Sequence, residues 1–234
     1  MMKLDHVVVL FGFFILLACP VWAQGPLTPP GAPEPTMRTL LQVEPRTPIT
    51  NVPYVITQPG SYYLAGNLSS TGVGIVVQAN GVTLDLMGFT LSGTVAPGSV
   101  GVLVSNTSPV RGFALRNGFI MRFEKGIAAY NAMNGYYEKL MMVSNGFAGI
   151  SMVALPGGKL LNNVLRDITL TESFSYGIQF VNLGGDIMAN TLRDNTVYGS
   201  DTGILFSDNG GSFNFGNVII GNTVIDSSDV GISI

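Results

Sequence analysis

The stretch Asn190-Thr-Leu-Arg-Asp-Asn-Thr-Val197 has near copies at Asn163-Val-Leu-Arg-Asp-Ile-Thr-Leu170 and Asn217-Val-Ile-Ile-Gly-Asn-Thr-Val224. The leading asparagines are 27 residues apart in both steps (190 − 163 and 217 − 190). Outward from this stretch, a glycine followed by Ile or Val returns seven times: Gly74-Ile75, Gly101-Val102, Gly126-Ile127, Gly149-Ile150, Gly177-Ile178, Gly203-Ile204 and Gly231-Ile232. The gaps between successive glycines are 27, 25, 23, 28, 26 and 28 residues. Self-similarity at such a period, with loop-length variation, marks stacked copies of one small structural unit.

Each unit reads as short strands. Segments of three to six residues rich in Val, Ile, Leu and Thr are bounded by Gly, Asn or Ser, as in the run from Val73 to Gly93. No segment sustains a helical period with caps, so the chain is expected to be all β. Strands of successive units pairing in parallel would put residues one period apart directly above one another at about 4.8 Å. Leu165, Leu192 and Ile219 then form an internal aliphatic column, each buried side chain contributing about 1.5–3 kcal/mol. Asn163, Asn190 and Asn217 form a side-chain ladder at a turn. The anchor glycines supply either positive φ or close backbone approach at the corner entering a strand. Gly60 to Ser69, with the strand formers Tyr62-Tyr63-Leu64, reads as the N-terminal cap of the array. The sequence stops at Ile234, three residues past Gly231. A chain incomplete at its C-terminus is expected, or an open end that serves as an assembly surface.

The N-terminus reads as an export signal over residues 1–23: Lys3, an apolar run from Val7 to Leu17, then Val21-Trp22-Ala23 before Gln24. A minor alternative uses Leu16-Leu17-Ala18-Cys19 as a lipobox, leaving a lipid anchor on Cys19. Residues 24–48 are a proline-rich linker and mixed lead-in, and 49–234 the repeat domain. The expected location is secreted, periplasmic or cell-surface, with no transmembrane helix in the mature chain. Signal removal takes away His6 and Cys19, the only histidine and cysteine. That excludes histidine bases, Ser-His-Asp and Cys-His nucleophiles, Cys/His zinc sites and disulfides. A net charge of −3 with 11% charged residues argues against nucleic-acid partners.

Pro59-Gly-Ser-Tyr-Tyr-Leu-Ala-Gly-Asn-Leu68, then Gly81-Val-Thr-Leu-Asp-Leu-Met-Gly-Phe-Thr-Leu-Ser-Gly93 and the Gly-Ile coils, resemble the secreted right-handed parallel β-helix proteins related to pectate lyases and to the NosD type of periplasmic protein. The resemblance covers roughly residues 49–234 and implies a right-handed parallel β-helix of about six to seven coils with an N-terminal cap. It implies three short parallel sheets around a solid core. It does not imply one chemistry, because that fold carries lyases, hydrolases, epimerases, adhesins and proteins without catalysis.

Candidate chemistry comes from charged residues at repeat spacing. Asp167 and Asp194, 27 apart, could serve as paired carboxylates on neighbouring coils, as could Asp201 with Asp229; turn chemistry accounts for the same residues structurally. Arg116, Lys139, Arg166 and Arg193 lie 10, 10, 11 and 10 residues before their anchor glycines. Such a column could grip successive carboxylates or sulfates of an acidic polysaccharide, or it could be a solvated strand face. Tyr130, Tyr136, Tyr137, Tyr176 and Tyr198 are candidate sugar-stacking residues, while Phe113, Phe119, Phe123, Phe147 and Phe180 read as internal. The first functional reading is a non-catalytic secreted or cell-surface module that binds acidic polysaccharide or a cell-surface glycan and needs no cofactor. The alternatives are a polysaccharide lyase or hydrolase, with Ca²⁺ under the lyase reading, and a self-assembling adhesin or structural protein.

Overall fold

The computed structural model describes residues 45–208 and 214–234; the signal reading and most of the proline-rich lead-in lie outside them. The described residues form short strands and no helix, wound as a parallel β-solenoid of about six turns. One sheet carries the Gly-Ile strands in the order Tyr54–Ile56, Val73–Val77, Val100–Val104, Lys125–Tyr130, Ala148–Ala154, Tyr176–Asn182, Thr202–Asp208 and Val230–Ser233. Its register places Ile75, Val102, Ile127, Ile150, Ile178, Ile204 and Ile232 in one column. The repeated dipeptide therefore marks one stacked position. Inside, Phe180 and Phe206 stack 4.6 Å apart at 5° to each other, and the core is a continuous pile of Ile, Leu, Val and Phe.

The anchor glycines are not left-handed; none of the six from Gly74 to Gly203 appears at positive φ. Close approach explains them. A Cβ on Gly74, Gly101, Gly126, Gly149, Gly177 or Gly203 would lie 2.5–2.8 Å from the carbonyl oxygen of the next glycine in the column, a separation no side chain tolerates without backbone movement.

A larger sheet runs through Gly60–Leu64, Val82–Asp85, Ala114–Met121, Tyr136–Val143, Val164–Arg166, Thr191–Arg193 and Val218–Ile220. It continues past a bend through Thr169–Thr171, Thr196–Tyr198 and Thr223–Ile225. The bend is a column of left-handed residues: Asn117, Lys139, Asp167, Asp194 and Gly221, at φ 59, 52, 53, 56 and 67°. Lys159–Leu161, Asp186–Met188 and Asn214–Phe215 make the third sheet. The first described coil is short: Gly60–Leu64 lies between Val82–Asp85 and the edge strand Thr47–Ile49, where Pro48 has no N–H to offer a further strand.

The corners are held by two asparagine columns. Asn190 Oδ1 accepts the Asn163 backbone N–H (3.0 Å) and side-chain amide (2.9 Å), and Asn217 Oδ1 does the same for Asn190 (3.0 and 3.0 Å). A second column repeats this: Asn195 Oδ1 accepts from Ile168 N–H (3.1 Å), and Asn222 Oδ1 from Asn195 (3.0 and 2.9 Å). Leu165, Leu192 and Ile219 stack in register beside them.

Gly149→Ala is expected to lower stability by about 1–3 kcal/mol through overpacking. Gly72→Ala, at an unstrained φ with nothing within 4 Å of the added Cβ, is expected to be neutral or to raise it by about 0.4–1 kcal/mol. Denaturant unfolding of the two variants checks this; equal effects would mean that close approach is not what selects glycine.

Candidate functional site

The strand register decides what the charged residues can do. Asp85, Arg116, Glu138, Arg166 and Arg193 occupy one outward column. Lys139 is not in it, because Glu138 takes that place and Lys139 occupies the left-handed bend. The expected cationic stripe is therefore a ladder of largely alternating sign. Arg116 Nε lies 3.1 Å from Asp85 Oδ2, and Arg166 Nη2 lies 2.7 Å from Glu138 Oε2. The Glu138 hydrogen bond holds the Arg166 guanidinium above its ordinary pKa, against partial desolvation. Arg166 also lies over the Tyr136 ring, 5.2 Å from its centroid. Arg193 Nε meets Asp194 Oδ2 at 3.1 Å.

Asp167 and Asp194 are bend residues, each beside the arginine that precedes it, at 3.6 and 3.1 Å. Asp and Asn tolerate left-handed backbone better than most residues, which accounts for both positions. Asp201 accepts the Ser228 hydroxyl at 2.7 Å and borders a hollow with Glu172 and Asp226. Glu172 accepts from Ser144 at 2.8 Å, and a hydrogen bond to Asp226 raises the Tyr198 pKa. Among the described residues no three His, Cys, Asp or Glu side chains converge as a metal cluster.

The aromatics divide differently from the expectation. Phe113, Phe123, Phe180 and Tyr137 are buried, while Tyr198 and Phe119 are exposed. Phe147 is half-exposed and packs edge-on against Tyr176, centroids 5.3 Å apart at 71°. Its corner position, just ahead of the strand, hides from sequence which way the ring points.

This pair rims a groove of about 360 Å³ on the outer face of the Gly-Ile sheet. Lys125, Phe147 and Tyr176 lie along one side, and Tyr130 and Leu183 also line it. Outward positions alternate with the core residues Ile150 and Met152, so Ser151 and Gln179 face away from the core; the register pairs them on adjacent coils. Yet they are only 2% and 5% exposed, because the neighbouring side chains stand above them as walls. Gln179 Nε2 donates to Ser151 Oγ at 2.8 Å, which leaves the serine hydroxyl proton and the glutamine carboxamide oxygen for a ligand. Lys125 Nζ lies 5.3 Å from the Phe147 centroid and 3.9 Å from Glu124 Oε1.

Aromatic rings at the edge of a concave face with a few polar groups at its base form the usual make-up of a small-ligand site. Compared with known proteins, the chain matches no family model, no curated protein and no solved structure.

Tyr137 tests the internal assignment. Its hydroxyl has no hydrogen-bond partner among the described groups, and burial pushes its pKa far above the ordinary 10.0. The folded protein keeps this proton where the unfolded chain, titrating near 10, loses it, so stability falls as pH rises through about 10. Tyr137→Phe is expected to lessen the alkaline loss, Tyr62 and Tyr198 contributing the same sign, and to leave neutral-pH stability unchanged or raised by about 1 kcal/mol. Unfolding midpoints at neutral and strongly alkaline pH measure both.

Proposed function

We propose that this protein is a non-catalytic carbohydrate-binding β-solenoid, exported to the cell surface or beyond, and that the groove over Ser151 and Gln179 is its binding face. The observation that carries the reading is the sunken polar floor beneath the Phe147–Tyr176 edge. Sugar rings present apolar faces that pack on aromatic side chains and hydroxyls that pair with a serine or carboxamide. No carboxylate is among the described residues that line the groove, whereas glycoside cleavage by the common route needs two. That favours holding a glycan over cutting it. The export part rests on the signal reading of residues 1–23.

The lyase or hydrolase alternative needs Asp167 or Asp194 with Arg166 or Arg193 as free reacting groups. Their mutual ion pairs, and the bond from Arg166 to Glu138, work against it.

Purified protein is expected to be retained on an immobilised polysaccharide without releasing new reducing or unsaturated ends. The double variant Phe147→Ala/Tyr176→Ala, still folded by thermal unfolding, should lose most of that retention. Release of new ends would overturn the non-catalytic reading, and full retention by the double variant would overturn the placement of the site.

A further inference from the structure

The charge of the groove narrows its ligand. Of the described side chains that line it, Lys125 is the one with a formal charge. That charge is offset by Glu124, 3.9 Å away, and by the Phe147 face beneath it. The floor is neutral, a serine and a carboxamide already bonded to each other. Val153, Val181, Leu183 and Leu205 are further lining residues, all apolar. Arg116, Arg166 and Arg193 lie on the other large sheet, where Asp85, Glu138 and Asp194 engage them.

A carboxylate or sulfate entering this groove would give up water with no unengaged cation among the described lining residues to replace it, which is strongly unfavourable. Hydroxyls carry no such penalty, since Ser151 and Gln179 offer both a donor and an acceptor. Shape adds direction. The lining residues come from four consecutive strands of the Gly-Ile sheet, with Phe147 just ahead of its strand and Leu183 just past its own, and three steps between those strands span about 14 Å. Sugar units of a linear glycan repeat at about the same spacing as the coils, so about three rings could lie along the solenoid axis, each over its own rung.

We infer that the groove selects an uncharged linear glycan, about three sugars of which lie along the solenoid axis over Ser151 and Gln179. This inference rests on the carbohydrate-binding reading above and assigns its ligand class.

The test is calorimetric titration of the full chain with soluble glucan, mannan, xylan and galactan oligosaccharides, and in parallel with oligouronates and sulfated oligosaccharides, at low and high salt. A neutral oligosaccharide is expected to bind with an affinity that salt changes by no more than about twofold. Tyr176→Ala should weaken it about tenfold or more, and Arg193→Gln, on the other large sheet, by no more than about twofold. Gln179→Leu, which keeps the ring edge and removes the floor bond, should weaken it as well. Should Tyr176→Ala unfold, Gln179→Leu with Arg193→Gln still decides the matter. Binding confined to the charged glycans, salt-sensitive and lost in Lys125→Gln, would overturn the neutral assignment and leave the carbohydrate reading standing. No binding by either class would overturn both.

Discussion

Backbone groups at the corners of each coil are the constraint on which the rest depends. Strand pairing satisfies the flat segments, but each turn leaves a buried N–H or C=O that must find a partner. Here the next coil supplies it through an asparagine. Asn190 accepts from the Asn163 backbone and donates to Leu160 C=O at 3.0 Å; Asn195 accepts from Ile168 and donates to Leu165 C=O at 3.0 Å. The residue before each asparagine takes the left-handed step that makes the corner: Asn162 and Ala189 in one column, Asp194 and Gly221 in the other. A third corner uses Asn145, whose Oδ1 accepts from Phe123 N–H at 3.2 Å, and serine in the three coils that follow. Ser173, Ser200 and Ser227 are too short to bridge coils, and their hydroxyls have no partner among the described groups. Backbone bonds such as Glu172 N–H to Tyr198 C=O, 3.0 Å, hold that corner.

Fixed corners make the coils superimpose, and superposition turns single residues into columns. Inside, the columns are apolar and close-packed, with glycine wherever neighbouring backbones approach. Outside, they decide which side chains meet. Arg116 meets Asp85, and Arg166 meets Glu138, so most of the charge on that face is neutralised internally. Ser151 meets Gln179 on the opposite kind of surface, at the base of the groove. A rigid ladder of this kind presents its groove in one shape, which limits the ordering that a ligand must bring about.

Much of this was legible in the sequence. The 27-residue spacing located the Asn163, Asn190 and Asn217 ladder, and the Gly-Ile step located a column that the register reproduces. The same stretches held the second ladder, Asn195 over Asn222, but Ile168 in the first copy concealed it. Counting back from the glycines failed for the cations because the interval varies by one. Glu138 lies 11 residues before Gly149, and Lys139 lies 10. In a strand, one residue is the difference between opposite faces, and here it separates an ion-paired column from a bend. The groove was not legible, since it depends on which outward side chains stand over their neighbours, and Phe147 has no periodic signal to show that its ring faces out.

The corner bonds are tested most directly by the equilibrium stability of Asn190→Ala beside Asn106→Ala, a loop asparagine whose bond to Gln78 C=O is exposed. Asn190→Ala strands the buried Asn163 N–H and removes one donor from Leu160 C=O, and is predicted to cost about 2–4 kcal/mol, against a change within about 0.5 kcal/mol for Asn106→Ala. An Asn190→Ala protein as stable as the parent would contradict the account.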